Sequence, residues 1–166
     1  MIILGIDPGT NRIGYGVVET NDTATCFVDC GCIEFKTNTN SQANLNSLHA
    51  AVQRLIKKHR PNAVAVEKIF FFKNSKTVIA VSQSRGVILL AAAQTQTPIR
   101  EFTPLQVKQA VSAYGRAQKK EVQKMVRLIL GLDFDPSPDD AADALAVAVC
   151  AAHSVRDMGQ ETRDMV

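Results

Sequence analysis

The order in which short apolar runs and helical spacings follow one another restricts this chain more than any other feature of its sequence. Residues 1–6 form a brief apolar run, Pro8-Gly9 is a strong turn signal, and residues 13–19 alternate well enough to be a returning strand. These two make a hairpin with Asp7 at its first shoulder. A third extended stretch covers about residues 24–35, followed by a polar Asn/Thr/Ser loop at 37–44. Leu45, Leu48, Val52, Leu55 and Ile56 then fit a 3.6-residue period until Pro61 stops the helix. Residues 63–66 are a short apolar strand that ends at Glu67. Residues 74–94 read as helix, 99–102 as a further strand, and Thr103-Pro104 as a helix start. An amphipathic helix over 118–130 ends at Gly131, and Ser137-Pro138 opens a last helix that runs past Cys150. Three strands, helix, strand, helix, strand and then helices predict an α/β domain with a mixed five-stranded sheet and helices on both faces.

A chain of 166 residues with 46% apolar content is long enough for one domain that removes roughly 70% of its unfolded surface from water. The expected extent of that domain is residues 1–153, with 154–166 as a flexible tail. The apolar run at 1–6 is too short for a signal peptide or a membrane span, which points to the cytoplasm and away from a membrane. The helix at 74–94 is apolar nearly all round between 87 and 93, so it is expected to be covered on two sides, one by its own domain and the other by a second copy in a two-fold dimer.

Cys26, Cys30 and Cys32 are expected to share one face of the third strand. Neighbours at i and i+2 on a strand stand ~6.5 Å apart, too far for easy bridging. No histidine shows zinc-ligand spacing to them.

The net charge of +3 conceals a segregation. Residues 54–127 carry 15 Lys or Arg against Glu67, Glu101 and Glu121, a net of +12, while the remainder carries 4 basic against 13 acidic residues, a net of −9. Like charges repel, so such separation adds nothing to folding, but a basic middle segment attracts a polyanion. Nucleic acid is the favoured partner.

Four carboxylates stand at the edges of buried elements. Asp7 follows one apolar strand and Glu67 another, while Asp140 and Asp143 lie three apart in an Ala/Leu/Val helix. Burying a carboxylate is costly unless a hydrogen bond or a cation meets it. If the three elements pack together, each pair of charges ~4 Å apart repels by ~4 kcal/mol at an effective dielectric near 20. Divalent cations relieve that, and hard oxygen ligands select Mg²⁺ or Mn²⁺. Simpler roles are open to the same residues: Asp7 can cap the Pro-Gly turn, and Asp140 can be the acid of a capping box begun by Ser137. Spacing alone does not choose between Asp139 and Asp140 as partner of Asp143, since i,i+3 and i,i+4 both share a helix face.

The ordered set "GIDPGTNRIGYGVVE", "AVAVEKIFFFKN", "QSRGVILLAAA", "QVKQAV" and "DDAADALAVAV" resembles the RuvC Holliday-junction resolvases over residues 1–153. The resemblance implies an RNase H-like fold, a homodimer, and Mg²⁺-dependent paired incisions in strands of like polarity at a four-way DNA junction, in recombination and repair. It implies Asp7, Glu67, Asp140 and Asp143 as the catalytic, metal-holding acids, and so prefers Asp140 to Asp139. It matches Lys108 and Lys119 to basic positions near the scissile phosphate, and Phe70 to an aromatic that meets unstacked bases. Which ring of Phe70, Phe71 and Phe72 does so is open. Lys73 and Lys76 join these as expected DNA contacts, and RuvA and RuvB are implied as partners. The implied chemistry is hydrolysis with two ions ~3.5 to 4 Å apart. Two rival readings use the same residues: a module that binds branched DNA without cutting it, and a nuclease acting on RNA-DNA hybrids. An actin-like phosphotransferase, suggested by "GIDPGT" alone, needs a second lobe for which 166 residues leave no room.

Overall fold

Alternation along β1 (Ile2–Asp7) sorts its side chains between two layers. Leu4 and Ile6 enter a cluster with Leu48, Val52 and Ile88, whereas Ile3 on the opposite face enters one with Val126 and Leu145. The computed structural model describes residues 1–35, 41–69 and 75–164, with the backbone alone at 41, 75, 76 and 156–164. Strand β1 pairs antiparallel with β2 (Arg12–Thr20) and parallel with β4 (Ala63–Glu67). Beyond them β3 (Thr25–Glu34) and β5 (Ile99–Phe102) complete a mixed five-stranded sheet of order β3-β2-β1-β4-β5. Helices α1 (Ser41–His59) and α2 (Ser75–Gln94) cover one face. Helices α3 (Pro104–Ser112), α4 (Lys119–Leu130) and α5 (Asp139–Asp164) supply the layer on the other. This is the expected architecture, and the helix starts follow the expected chemistry. Thr103 Oγ1 accepts from the Gln106 amide at 3.1 Å while Gln106 Oε1 accepts from the Thr103 amide at 2.8 Å, with Pro104 in the first turn. Gly131 closes α4 in the left-handed region at φ 62°.

Helix α5 lies unusually close to the sheet. A Cβ on Gly5 would overlap the carbonyl oxygen of Ala144, one on Gly14 would overlap that of Asp140, and one on Gly16 would stand 2.7 Å from the Leu145 nitrogen. The three glycines on β1 and β2 form a bed that only a missing side chain provides, and the facing helix answers with Ala141, Ala144 and Ala148, all fully buried. Continuing the same alternation, Asp7 on β1 and Arg12 on β2 fall on this face too.

One expectation is corrected. A register shift between Val17 and Val18 lets Asp29 pair with Val17 and Phe27 with Val18, so Val28 is an extra residue in β3. Such a bulge reverses facing along the strand. Cys30 and Cys32 therefore face α5, with Cys30 packed against that core, while Cys26 is on the opposite side of the sheet. All four cysteines are free.

The inner side of α2 buries Ile88, Ala91 and Ala92 completely, while Ile79 and Leu90 on its outer side are 65% and 51% exposed. Residues 77–94 are long and apolar enough, by length and composition, to cross a bilayer, and 22% of that stretch is buried within the chain. The apolar surface that α2 leaves open is thus its outer face.

Because the glycine bed admits α5 without clearance, Gly5→Ala should lower stability by about 1–3 kcal/mol in denaturant unfolding. An unchanged midpoint would mean that α5 does not rest on β1 in this way.

Candidate active site

The parallel register of β1 and β4 aligns Ile6 with Val66, so the next residues, Asp7 and Glu67, end adjacent strands side by side. Alternation from Gly5 and from Ala65 turns both toward the α5 layer. The glycine bed beneath α5 then holds its first turns over the same strand ends, where Asp140 and Asp143 project. Asp7, Glu67 and Asp143 line one cleft of about 260 Å³, together with Lys108 from α3 and Lys119 from the start of α4. Its apolar walls are Val107, Val122 and Ala146.

Electrostatics record this convergence. The Asp7 carboxyl is pushed up to about 8, first by burial and then by the charges of Glu67, Asp143 and Asp140, with Lys119 opposing. Glu67 is pushed up to about 7 by burial and by Asp143, with Lys108 opposing. Asp143 is also raised, by burial first, although Lys119 Nζ stands 2.8 Å from its Oδ2 and pulls the other way. Burial would lower Lys119, but its hydrogen bond to Asp143 and the charges of Asp143, Asp139 and Asp140 raise it. Among the described residues, no hydrogen bond contributes to the state of Asp7, so its carboxylate is not a satisfied turn cap.

Asp140 stands at the rim. Its Oδ2 accepts from Arg12 Nη1 at 3.4 Å, and Arg12 Nε lies 3.3 Å from Glu34 Oε1. Asp139 points further out, 73% exposed, with Lys119 Nζ at 3.6 Å. Asp7 feels the charge of Asp140, and Asp139 is absent from the charges that act on it. Arg12 is the residue that sequence reading passed over. The signal was present in the alternation Arg12, Gly14, Gly16, which puts Arg12 on the face where α5 begins. Lys108 and Lys119, expected from the resemblance, both reach the cleft. Phe70 and Lys73 lie outside the described residues, and of Lys76 the backbone alone is described, at the start of α2.

The donor set suits a hard divalent cation: carboxylate oxygens from three elements, sunk in a cleft, with Glu67 and Asp143 both raising Asp7 and Asp143 also raising Glu67. Among the described residues, no three acidic, histidine or cysteine side chains yet stand close enough to form a ready ligand cage. Ion pairs hold two of the acids toward cations of the chain, Asp143 toward Lys119 and Asp140 toward Arg12. The site is therefore set by its backbone, and its carboxylates have to turn inward to share an ion.

Asp7 and Glu67 have folded pKa values above the ordinary 3.8 and 4.5. A raised acid contributes stability that is complete below its unfolded pKa and lost as pH rises through the folded one, here between about 4 and 8. In EDTA, Asp7→Asn should therefore melt at a higher temperature than the native chain, and the gap should widen from pH 5 to pH 8. A gap that is constant with pH would remove Asp7 from the strained set.

Comparison with known proteins agrees with the geometry. Residues 3–151 match the family described as crossover junction endodeoxyribonuclease RuvC. The protein of that name from Pelotomaculum thermopropionicum is 52% identical over 153 residues, which cover 92% of this chain and 93% of the relative. The one from Moorella thermoacetica is 53% identical over 152 residues, covering 92% and 91%. Among solved structures, Thermus thermophilus RuvC in complex with Holliday junction substrate superimposes with a TM-score of 0.90 at 36% identity, covering 96% of each chain. The yeast mitochondrial Holliday junction resolvase Ydc2, at 13% identity and a TM-score of 0.65, shares the fold. The RNase H-like α/β architecture is thus that of Thermus RuvC, and this chain belongs to the RuvC family of crossover junction endodeoxyribonucleases.

Proposed function

We propose that this chain resolves four-way DNA junctions in recombination and repair, by hydrolysing one phosphodiester bond in each of two strands of like polarity. The observation that carries this reading is the convergence of Asp7, Glu67 and Asp143 in a cleft shared with Lys108 and Lys119. Family membership supports it, as does the junction bound to the Thermus relative.

Asp7, Glu67, Asp140 and Asp143 would hold Mg²⁺, with Mn²⁺ as substitute and two ions per site. The bound cations supply Lewis-acid activation of a water and stabilise the leaving 3′ oxygen. Asp7 is central because every other acid of the set acts on it, and it must be ionised to serve. Lys119 Nζ pairs with Asp143 Oδ2 at 2.8 Å. With Asp143 holding a cation, that ammonium would be available to offset charge developing on phosphoryl oxygens. Lys108, which lines the same cleft and acts on Glu67, offers a second positive charge to the DNA backbone. Phe70, Lys73 and Lys76, which precede or open α2, are proposed as further DNA contacts, and residues 1–153 as the nuclease domain with 154–166 appended.

Two matched cuts call for two sites related by symmetry. The outer face of α2, with Ile79 and Leu90 exposed, is the surface we assign to a second copy. Family resemblance supports RuvA and RuvB as branch-migration partners, and the cytoplasm as the place of action.

Asp7→Asn should reduce junction cleavage to below about 1% of native while junction binding in a gel shift persists. A variant that cuts at the native rate would exclude Asp7 from the chemistry. Under identical Mg²⁺, a synthetic four-way junction should be cut and an RNA-DNA hybrid left intact. Preferential hybrid cleavage would favour the RNase H-type reading, and binding without incision under any divalent ion would favour a non-cleaving module. Leu90→Asp should convert a dimer to monomer in sedimentation, whereas an unaltered dimer would move the interface off α2.

A further inference from the structure

Arg12 joins two carboxylates of different kinds. One is Asp140, a proposed metal-holding acid on α5, reached through Nη1 at 3.4 Å. The other is Glu34 on β3, 3.3 Å from Nε. Arg12 and Glu34 are direct cross-strand partners in the sheet, so their proximity needs no contribution from α5. Asp140, in contrast, is brought to Arg12 only because Gly14, two residues along the same face of β2, lets the first turn of α5 touch the strand. The guanidinium has donors enough for both, on separate nitrogens.

We propose that Arg12 is a positioning residue that guards Asp140, holding it at the rim while the site is empty of cations and withdrawing onto Glu34 when Asp140 turns inward to share one. This rests on the proposed function, in which the four acids bind a divalent ion. Arg12 is 46% exposed, Glu34 68% and Asp140 33%, so the Arg12–Asp140 contact is solvated, weak and readily exchanged. Without a resting place, the arginine would compete with the metal for Asp140. With Glu34 beside it, that competition is softened, because the guanidinium loses one carboxylate and keeps another. Lys119 has an analogous double contact with α5, to Asp143 at 2.8 Å and to exposed Asp139 at 3.6 Å. Asp143 and Asp140 thus each share a cation with a more exposed acid, Asp139 and Glu34 respectively.

Calorimetric Mn²⁺ titration at pH 8, with no DNA present, tests the proposal in four chains: native, Arg12→Ala, Glu34→Gln and the double variant. Glu34→Gln should weaken Mn²⁺ binding by about tenfold, since Arg12 is then left with Asp140 alone. Arg12→Ala should bind at least as tightly as native, and adding Glu34→Gln to Arg12→Ala should change nothing. Equal weakening by Glu34→Gln with and without Arg12, or none in either background, would overturn the guarding role while leaving the metal reading intact. Absence of Mn²⁺ uptake by the native chain would overturn both. A second measurement is independent of metal: in EDTA, Arg12→Ala should lower the urea midpoint of the native chain by more than that of Asp140→Asn, where the Glu34 contact alone is lost, and an equal drop in both would show that Arg12 does not hold Asp140.

Discussion

Backbone-to-backbone contact between α5 and the strands β1 and β2 is the constraint on which the rest of the molecule depends. Gly5, Gly14 and Gly16 remove the side chains that would normally keep a helix about 10 Å from a sheet, and alanines on α5 close the gap from the other side. An ordinary packing distance would leave Asp143 too far from Asp7 for either to affect the other. At the observed distance Asp143 helps to raise Asp7, and Glu67, from the neighbouring parallel strand, does the same.

This close approach puts the site under electrostatic load. Burial alone disfavours charge on Asp7, and three further acids add to it, so near neutral pH the cleft either keeps protons or needs cations. Two of the chain's cations pair with acids of the set, Lys119 with Asp143 and Arg12 with Asp140, while Lys108 opposes the raising of Glu67. Neither meets Asp7 by an ion pair within reach, and Asp7 is left as the most perturbed acid. A group so placed lowers stability to no structural benefit, which is the pattern expected where function holds a charge in place. The apolar walls of the cleft, Val107, Val122 and Ala146, lower the local dielectric around Asp7, Glu67 and Asp143 and so strengthen the interactions among them.

Much of the fold was legible in the sequence because its elements obey simple periods. The strand ends at Asp7 and Glu67, the helix starts at Thr103-Pro104 and the stop at Gly131 all follow from local chemistry that tertiary packing did not override. The bulge at Val28 was not legible: nothing in "TCFVDCGC" marks an extra residue, and the consequence was the misplaced facing of Cys26. Within the site, the acids stood out individually as charges at the edges of apolar runs, but periodicity could not separate Asp139 from Asp140. That separation is a matter of tertiary contact, since Asp140 meets Arg12 across 128 residues of sequence while Asp139 turns outward. Arg12 was missed because an arginine near a turn is unremarkable until the glycines beside it are understood as the seat of a helix.

Joint uptake of a divalent cation by the strand-end acids and α5, as proposed above, is tested most directly by diffraction from Mn²⁺-soaked crystals at pH 8. Anomalous density is expected between the carboxylates of Asp7, Glu67 and Asp143, with Lys119 Nζ displaced from Asp143. Crystals whose Mn²⁺ sites all lie elsewhere, with Asp7 unligated and Lys119 still paired to Asp143, would contradict it.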